Sequence, residues 1–267
     1  MKNLRFELQK PVTPHRRYPL RLMDPDANDF LITLFVACFN ESENISATLD
    51  VVLAACATAA ISYEVIIIDD ASTDGSVDVI RRYLAAHLEA PIRLHINEKN
   101  MGLGENFAEA AFMGRGKYYR LICGDNVEPV ETLVKVFREI GKADIILSYR
   151  PEDVEGKSFA RRITSSAFTK LVNLLSGYNI RYYNGLPIMK RRDVMRWQPN
   201  SHGFGFQADL VTRLLDRGAT FIEVPVSAHE RTEGKAKAIN LRNFCSVAHS
   251  LLNILIRRFS KLVYGHS

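Results

Sequence analysis

The chain has 267 residues, 47% of them apolar, and a mean hydropathy of −0.08, so it can bury the core of one large α/β domain. Its net charge is +5 and its basic residues gather at the two ends, which favours phosphorylated ligands or an anionic membrane face as partners. The four cysteines are scattered, as is typical of reduced thiols in a cytosolic protein. Neither a secretory signal nor a membrane-spanning helix is expected, because no apolar segment is long enough for either.

Apolar runs alternate with helical periodicity over the first 150 residues. Residues 1–29 are rich in proline and arginine and are expected to form an extended basic arm. Strands are predicted at 31–38, 63–69, 92–97, 118–123 and 144–148, with helices at 43–60, 74–88, about 100–114 and 129–140. This alternation predicts an α/β fold with a doubly wound, mostly parallel sheet.

The pattern changes after residue 150. A helix is predicted at 158–175, a short strand at 186–189, a helix entered at 203–209 and a strand at 220–226. The tail at 239–267 has the pattern of an amphipathic helix with a basic end. It packs on the domain in one interpretation. In the other it lies on an anionic membrane face, with Arg257, Arg258 and Lys261 toward the lipid headgroups.

Two adjacent acids, Asp69 and Asp70, directly follow the buried strand at 63–69. One interpretation is that they only end the strand and cap the next helix. Polar residues also follow three other predicted strands, at Asn40-Glu41, at 100–104 and at Asp125-Asn126. Because open α/β sheets bind ligands at the carboxyl ends of their strands, we expect these four stretches to form one site.

These motifs resemble those of the family 2 inverting glycosyltransferases, which have the glycosyltransferase-A fold. Within that family the chain is most similar to the polyprenyl-phosphate sugar synthases. The family's YNE-x-x-N-I is similar to residues 39–45, and its DD-x-S-x-DG is intact at 69–75. Its N-x-G-x-G matches 100–104 and its R-x-x-G-x-S-K is similar to 231–237. The resemblance covers residues 30–238 and implies a catalytic domain there, with the nucleotide site at the carboxyl ends of the strands.

The resemblance also implies which residues hold the donor, a nucleoside-diphosphate sugar. The nucleoside side of the site would be formed by five residues: Asn40, Glu41, Asp69, Asp70 and Gly102. Asp125 stands at the second acid of the family's metal-binding DxD motif, whereas Cys123 replaces the first acid and Gly124 lies between them. One carboxylate suffices for Mg²⁺ or Mn²⁺ when substrate phosphates and water supply the other ligands. The metal, Arg231 and Lys237 would then stabilise the leaving diphosphate.

The acceptor phosphate, by the same resemblance, would be bound by Arg150, Arg161 and Ser165. The chain departs from the family where D-x-x-S-G-F-R is usual, because residues 181–187 read RYYNGLP. A phosphate monoester needs no general base, since its second pKa is about 6. A sugar hydroxyl would need a carboxylate. Asp209 is the candidate, although it could equally be a helix-surface or N-terminal acid.

We therefore interpret the chain as an inverting, metal-assisted transferase that acts on a polyprenyl phosphate or other lipid acceptor. It would be cytoplasmic and peripheral on the inner face of the membrane. One alternative is a related enzyme that glycosylates a hydroxyl with Asp209 as base. Another is a weakly active protein that binds sugar nucleotides. No nucleic-acid partner is expected, and a homo-oligomer is compatible with the sequence.

Overall fold

The computed structural model describes residues 29–151, 159–197, 205–227 and 241–265. Its strands are β1 Phe30–Cys38, β2 Tyr63–Asp69, β3 Ile92–Ile96, β4 Gly116–Cys123, β5 Ile145–Tyr149, β6 Ile188–Lys190 and β7 Phe221–Pro225. Its helices are α1 Ile45–Ala59, α2 Ser76–Ala86, α3 Leu103–Met113, α4 Val130–Phe137, α5 Phe159–Ser176, α6 Arg191–Met195, α7 Phe206–Asp216 and α8 Leu241–Tyr264. Residues 1–28 of the arm predicted at 1–29 lie outside the described residues, as do residues 228–240.

The seven strands form one sheet in the order β3-β2-β1-β4-β6-β5-β7. Strand β6 runs antiparallel to both of its neighbours, and the other described pairings are parallel. The carboxyl ends of β1, β2, β3, β4, β5 and β7 therefore share one edge, here called the carboxyl edge. The predicted mostly parallel α/β sheet is confirmed.

Helices cover both faces of the sheet, which explains why its central strands are apolar without alternation. In β2, Ile66 and Ile68 pack in a cluster on one face that includes α3 and α7. Val65 and Ile67 pack on the other face with α1 and α4. Burial on both sides fixes the central strands, and thereby the position of the loops that leave the carboxyl edge.

The segment before β6 is where the structure departs most from the predicted elements. The predicted strand at 186–189 begins only at Ile188, because Leu186 has a φ of 49° that a strand does not accommodate. Gly185 lies against β5, where an added Cβ would overlap the Ser148 carbonyl oxygen. Helix α6 was not predicted, since five residues are too few to show a helical period.

Asp144 ties the last three strands together at the opposite edge of the sheet. It accepts hydrogen bonds from Lys190 Nζ at 2.6 Å and from the Thr220 amide and hydroxyl, each at 2.9 Å. The Lys190 bond, with those from Thr220, lowers the pKa of Asp144 to about 2. A carboxylate whose pKa is lowered by folding stabilises the fold at pH values above its pKa in the unfolded state, which is near 4.

We predict that thermal stability falls as the pH drops from about 4 to about 2, in part because Asp144 takes up a proton. Asp144→Asn should lower the melting temperature at pH 6 and should reduce its dependence on pH in that window. The control is Asp78→Asn. The Asp78 side chain is 70% exposed, and its ion pair with Arg81, at 3.6 Å, is too solvated to contribute much to stability. An unchanged pH profile in Asp144→Asn would contradict the assignment.

Candidate active site

The loop after β1 and the loop after β2 are joined by side-chain hydrogen bonds. Asn40, with a φ of 55°, donates its amide to Ser72 Oγ at 2.9 Å and accepts the Thr73 amide at its Oδ1 at 2.8 Å. The Glu41 amide donates to Ser76 Oγ at 2.9 Å. Two of the predicted polar stretches therefore lie side by side at the carboxyl edge.

Asp74 strengthens this junction. Its carboxylate accepts the Ser42 amide at 3.0 Å and the Ser76 amide at 3.0 Å. Partial desolvation acts to raise the pKa of Asp74, but the hydrogen bonds from Ser76 and Ser42 outweigh it and lower the pKa to about 2. Asp74 is therefore an ionised acceptor that fixes the start of α2.

Asp69 is fully buried and holds the turn that follows β2. Its Oδ1 accepts the Ser72 amide at 2.9 Å. Its Oδ2 is buried and has no hydrogen-bond partner within the part of the chain that the structure describes. Burial, together with the charge of Asp69, raises the pKa of the neighbouring Cys38 thiol to about 12. One oxygen of Asp69 therefore closes the turn after β2 and does not cap α2, whose N-cap is Gly75 without a side-chain hydrogen bond, while the second oxygen is unassigned.

Asp70 organises the loop between β3 and α3. Its Oδ1 accepts hydrogen bonds from Asn97 Nδ2 and the Met101 amide, both at 2.8 Å, and its Oδ2 accepts the Gly102 amide at 3.0 Å. The side chain of Asn100 donates to the Asp70 carbonyl at 3.3 Å. The third polar stretch is thereby brought to the same edge, with the Asp70 carboxylate as its anchor.

Asp125 follows β4 at the same edge, in a turn that lies close against β1. The Gly124 amide donates to the Ala37 carbonyl at 2.9 Å, and a Cβ on Gly124 would lie 2.8 Å from that oxygen. Desolvation and the nearby carboxylates of Asp125 and Glu128 raise the pKa of the Cys123 thiol, so Cys123 stays neutral. No group of three or more His, Cys, Asp and Glu side chains suited to a metal occurs among the described residues. Asp125 fits a metal only as a single carboxylate ligand.

A buried ion pair beneath this turn was missed in the sequence. Arg120, fully buried in β4, donates to Glu128 at 2.6 Å and to the Leu186 carbonyl at 3.1 Å. Nη1 of Arg120 and Oε2 of Glu128 have no partner within the described segments. An arginine inside an otherwise apolar strand was the available signal, because burial of a charge requires a partner.

Only some of the predicted acceptor-binding residues lie within the described part of the chain. Arg150 directly follows β5 at the carboxyl edge, and Ser165 is partly buried in α5. The side chain of Arg161, also in α5, lies outside the described residues, as do Arg231 and Lys237. The structure therefore leaves the acceptor assignment as a prediction.

Asp209 has a different environment from the one that a general base requires. Its carboxylate is buried in α7 and accepts hydrogen bonds from Arg257 Nη1 in α8 and, at 3.1 Å, from Trp197 Nε1. Arg257 also donates to Thr212 Oγ1 at 2.7 Å and lies 3.5 Å from Asp216. These contacts make Asp209 an anchor of α8, and its role as a general base stays a prediction.

Sequence similarity makes the chain a glycosyltransferase, and its α/β sheet has the glycosyltransferase-A fold. The Glycosyl transferase family 2 profile matches residues 33–198, and the chain belongs to that family. It is 27% identical over 188 residues to a dolichol-phosphate mannosyltransferase of Saccharomyces cerevisiae. The alignment covers 65% of this chain and 68% of that protein. It is 24% identical over 253 residues to a dodecaprenyl-phosphate galacturonate synthase of Rhizobium johnstonii. That alignment covers 93% of this chain and 73% of that protein.

The fold is also found among solved structures. The mannosyltransferase PcManGT from Pyrobaculum calidifontis, in complex with GDP-Man and Mn²⁺, superposes with a TM-score of 0.57 at 17% identity. The match covers 91% of this chain and 78% of that protein. At this identity the likeness establishes the fold alone.

We predict that Asp70→Ala releases the loop at 97–102, because the carboxylate accepts three hydrogen bonds there. Hydrogen exchange at the Met101 and Gly102 amides should accelerate, and the free energy of unfolding should fall by about 1 kcal/mol for each hydrogen bond lost. Sugar-nucleotide affinity should fall with it. Asp78→Ala is the matched control. Unchanged exchange at both amides would show that the Asp70 carboxylate does not hold this loop.

Proposed function

We propose that the protein transfers a sugar, with inversion, from a nucleoside-diphosphate sugar to a polyprenyl phosphate at the cytoplasmic face of a membrane. The observation that carries the choice of acceptor is the ion pair between Asp209 and Arg257. A hydroxyl acceptor requires a base, and the carboxylate expected to supply it is engaged in holding α8. A phosphate acceptor is largely ionised at neutral pH, because its second pKa is about 6, and it attacks without a base.

The nucleoside would lie over the β1–β3 half of the carboxyl edge. There Asn40, Glu41, Asp69 and Asp70 hold two loops and the start of α3 in a fixed arrangement, with the Gly102 amide at its centre. The role of the fully buried Asp69 is to fix the turn at Ser72. The role of Asp70 is to position the loop.

A divalent metal, Mg²⁺ or Mn²⁺, is part of this proposal. Asp125 would hold it together with substrate phosphates, and the neutral Cys123 thiol is a poor ligand for so hard an ion. When bound, such an ion neutralises charge on the leaving diphosphate. Arg231 and Lys237 would assist by binding the same group, and Arg150, Arg161 and Ser165 would bind the acceptor phosphate.

We predict that Asp125→Asn abolishes transfer and weakens Mn²⁺ binding in the presence of nucleoside diphosphate, while the melting temperature stays within about 2 °C. Binding of Mn²⁺ is read by electron paramagnetic resonance. Cys123→Asp should tighten the same binding, because it restores a second carboxylate. Wild-type affinity for Mn²⁺ in Asp125→Asn, or full turnover in excess chelator, would exclude this metal site.

Helix α8 presents its apolar side away from the domain. Ile254 and Ser250 are buried and Arg257 points inward to Asp209, whereas Phe259 is 66% exposed. The outward side chains of α8 are Leu252, Leu255, Ile256, Phe259 and Val263. Their spacing places them in one stripe along the helix. Within the described residues, no helix has the length and apolarity to cross a membrane.

We propose that this stripe lies in the headgroup boundary of the membrane that carries the acceptor. Leu171 and Leu174 of α5, the latter 80% exposed, are also apolar and outward, and α5 packs against α8. Lys235 precedes α8 in sequence and Arg242 is its second residue, and both would favour an anionic surface. The prediction that Arg257 faces the lipid was wrong, because its guanidinium is engaged with Asp209, Thr212 and Asp216.

We predict that Leu255→Glu with Phe259→Glu releases the protein from anionic liposomes without unfolding it, since both side chains are exposed. Turnover with a long-chain polyprenyl phosphate should drop at least tenfold, and turnover with a short, water-soluble analogue should be retained. The control is Leu88→Glu, which also removes an exposed leucine, in this case one just beyond α2. Retained liposome binding by the double variant would contradict the membrane assignment. Conversion of a dimer to a monomer without loss of liposome binding would also contradict it, because the stripe would then be a subunit interface.

A further inference from the structure

The turn at 123–128, here called the Asp125 turn, is held by the backbone on both sides of Asp125. The Gly124 amide donates to a carbonyl group of β1 at 2.9 Å, and the Asn126 amide donates to the Thr48 hydroxyl in α1 at 3.0 Å. Asn126 has a φ of 53°, a left-handed conformation that asparagine accepts more readily than most residues. The position of the carboxylate proposed to hold the metal is therefore set by the contacts of this turn.

A third attachment of the Asp125 turn is the ion pair between Arg120 and Glu128. Arg120 precedes the turn in β4, and Glu128 follows it just before α4. Nη2 of Arg120 donates to Glu128 Oε1 at 2.6 Å, and its Nε donates to the Leu186 carbonyl at 3.1 Å. The Leu186 amide in turn donates to Gln207 Oε1 in α7 at 3.3 Å. One guanidinium therefore joins the Asp125 turn to the segment before β6.

The segment before β6 borders the site because β6 runs antiparallel to its neighbours. Ile188 pairs with Ile146 of β5. Gly185 lies against Ser148, which is two residues further along β5 toward the carboxyl edge. The guanidinium thus bridges two loops of the carboxyl edge, the turn after β4 and the segment that leads into β6.

Stability alone does not account for a charged pair at this position. Arg120 is fully buried, and its Nη1 has no hydrogen-bond partner within the described residues, nor has Oε2 of Glu128. The pair therefore makes one of the two parallel hydrogen bonds that an arginine and a carboxylate can form. Apolar residues of similar volume often replace a buried ion pair without loss of stability. What they would not supply is direction, since one rigid guanidinium bonds two separate loops.

We propose that Arg120 is a positioning residue for sugar transfer, which fixes the Asp125 turn relative to the segment before β6. This inference rests on the proposed function and deepens it. A metal held by one protein carboxylate takes its other ligands from substrate and water, so the place of that carboxylate decides where the diphosphate lies. A displacement of about 1 Å costs roughly a hundredfold in rate. Arg120 does not touch the substrate, and it acts through Glu128 and Leu186.

The test compares the wild type with the double variant Arg120→Met/Glu128→Met, which removes both charges and keeps an apolar side chain at each position. We expect it to fold, with a melting temperature near that of the wild type. In the metal-free protein, hydrogen exchange at the Gly124 and Asn126 amides should accelerate. Affinity for Mn²⁺ in the presence of UDP or GDP, and kcat with the sugar nucleotide that the wild type uses, should each fall about tenfold or more. Nucleotide affinity without metal should not change.

Arg120→Lys is the second variant, and it decides the question if the double variant does not fold. A lysine keeps the ion pair with Glu128 but lacks the fork that also reaches the Leu186 carbonyl. The melting temperature and the affinity for Mn²⁺ should therefore be kept, whereas kcat should fall. An unchanged kcat in Arg120→Lys would show that transfer does not need the bridge, and would overturn the inference.

The control is Lys190→Met/Asp144→Asn, which removes an ion pair of the same 2.6 Å length at the opposite edge of the sheet. It should lower the melting temperature and leave exchange at the Asp125 turn, Mn²⁺ affinity and kcat unchanged. A folded Arg120→Met/Glu128→Met with wild-type exchange, Mn²⁺ affinity and kcat would overturn the inference and leave the proposed function standing. A double variant that loses only stability would do the same. Absence of transfer by the wild type from every sugar nucleotide would overturn the proposed function itself.

Discussion

The end of β1 is the point on which the site depends. Its last two carbonyl groups hold the two acid-bearing turns, because Cys38 accepts the Asp70 amide and Ala37 accepts the Gly124 amide, both at 2.9 Å. Strand β1 pairs in parallel with β2 and β4, and Ala37 lies opposite both Ile68 and Cys123. The nucleoside half of the site and Asp125 therefore keep a fixed relation to each other. A residue larger than glycine at position 124 would disturb that relation, because its Cβ would meet the Ala37 carbonyl.

The sequence was most informative where local pattern and tertiary structure agree. The run Val65-Ile68 buried on both faces, followed by acids and turn residues, predicted β2 with its bounds and the edge at which Asp69 and Asp70 lie. The antiparallel direction of β6 could not be predicted, because three residues carry no directional signal and the strand is placed by contacts with β4 and β5. Whether the Asp70 carboxylate binds a ligand or the protein could not be predicted either, since its partners Met101 and Gly102 are 31 and 32 residues away in sequence.

The side of helix α8 that packs on the domain could not be predicted from the sequence either. Its sequence gives an apolar stripe and a basic stripe, and either could face the domain. Two acids on α7, Asp209 and Asp216, decide the outcome, because a buried carboxylate needs a cation and Arg257 supplies it. The apolar stripe is then left outward. The predicted interfacial role of α8 and the alternative, packing on the domain, are thus compatible: the side with Ile254 and Arg257 packs, and the apolar stripe remains exposed.

The central claim is that the nucleophile is a phosphate and that the anomeric configuration inverts. The direct measurement is to incubate the protein with a panel of α-linked nucleotide sugars, a divalent metal and undecaprenyl phosphate, with undecaprenol as the hydroxyl control. The product is identified by mass and its anomeric configuration by NMR. The account predicts a β-linked sugar phosphodiester from undecaprenyl phosphate and no product from undecaprenol. An α-linked product, or transfer to undecaprenol, would contradict it.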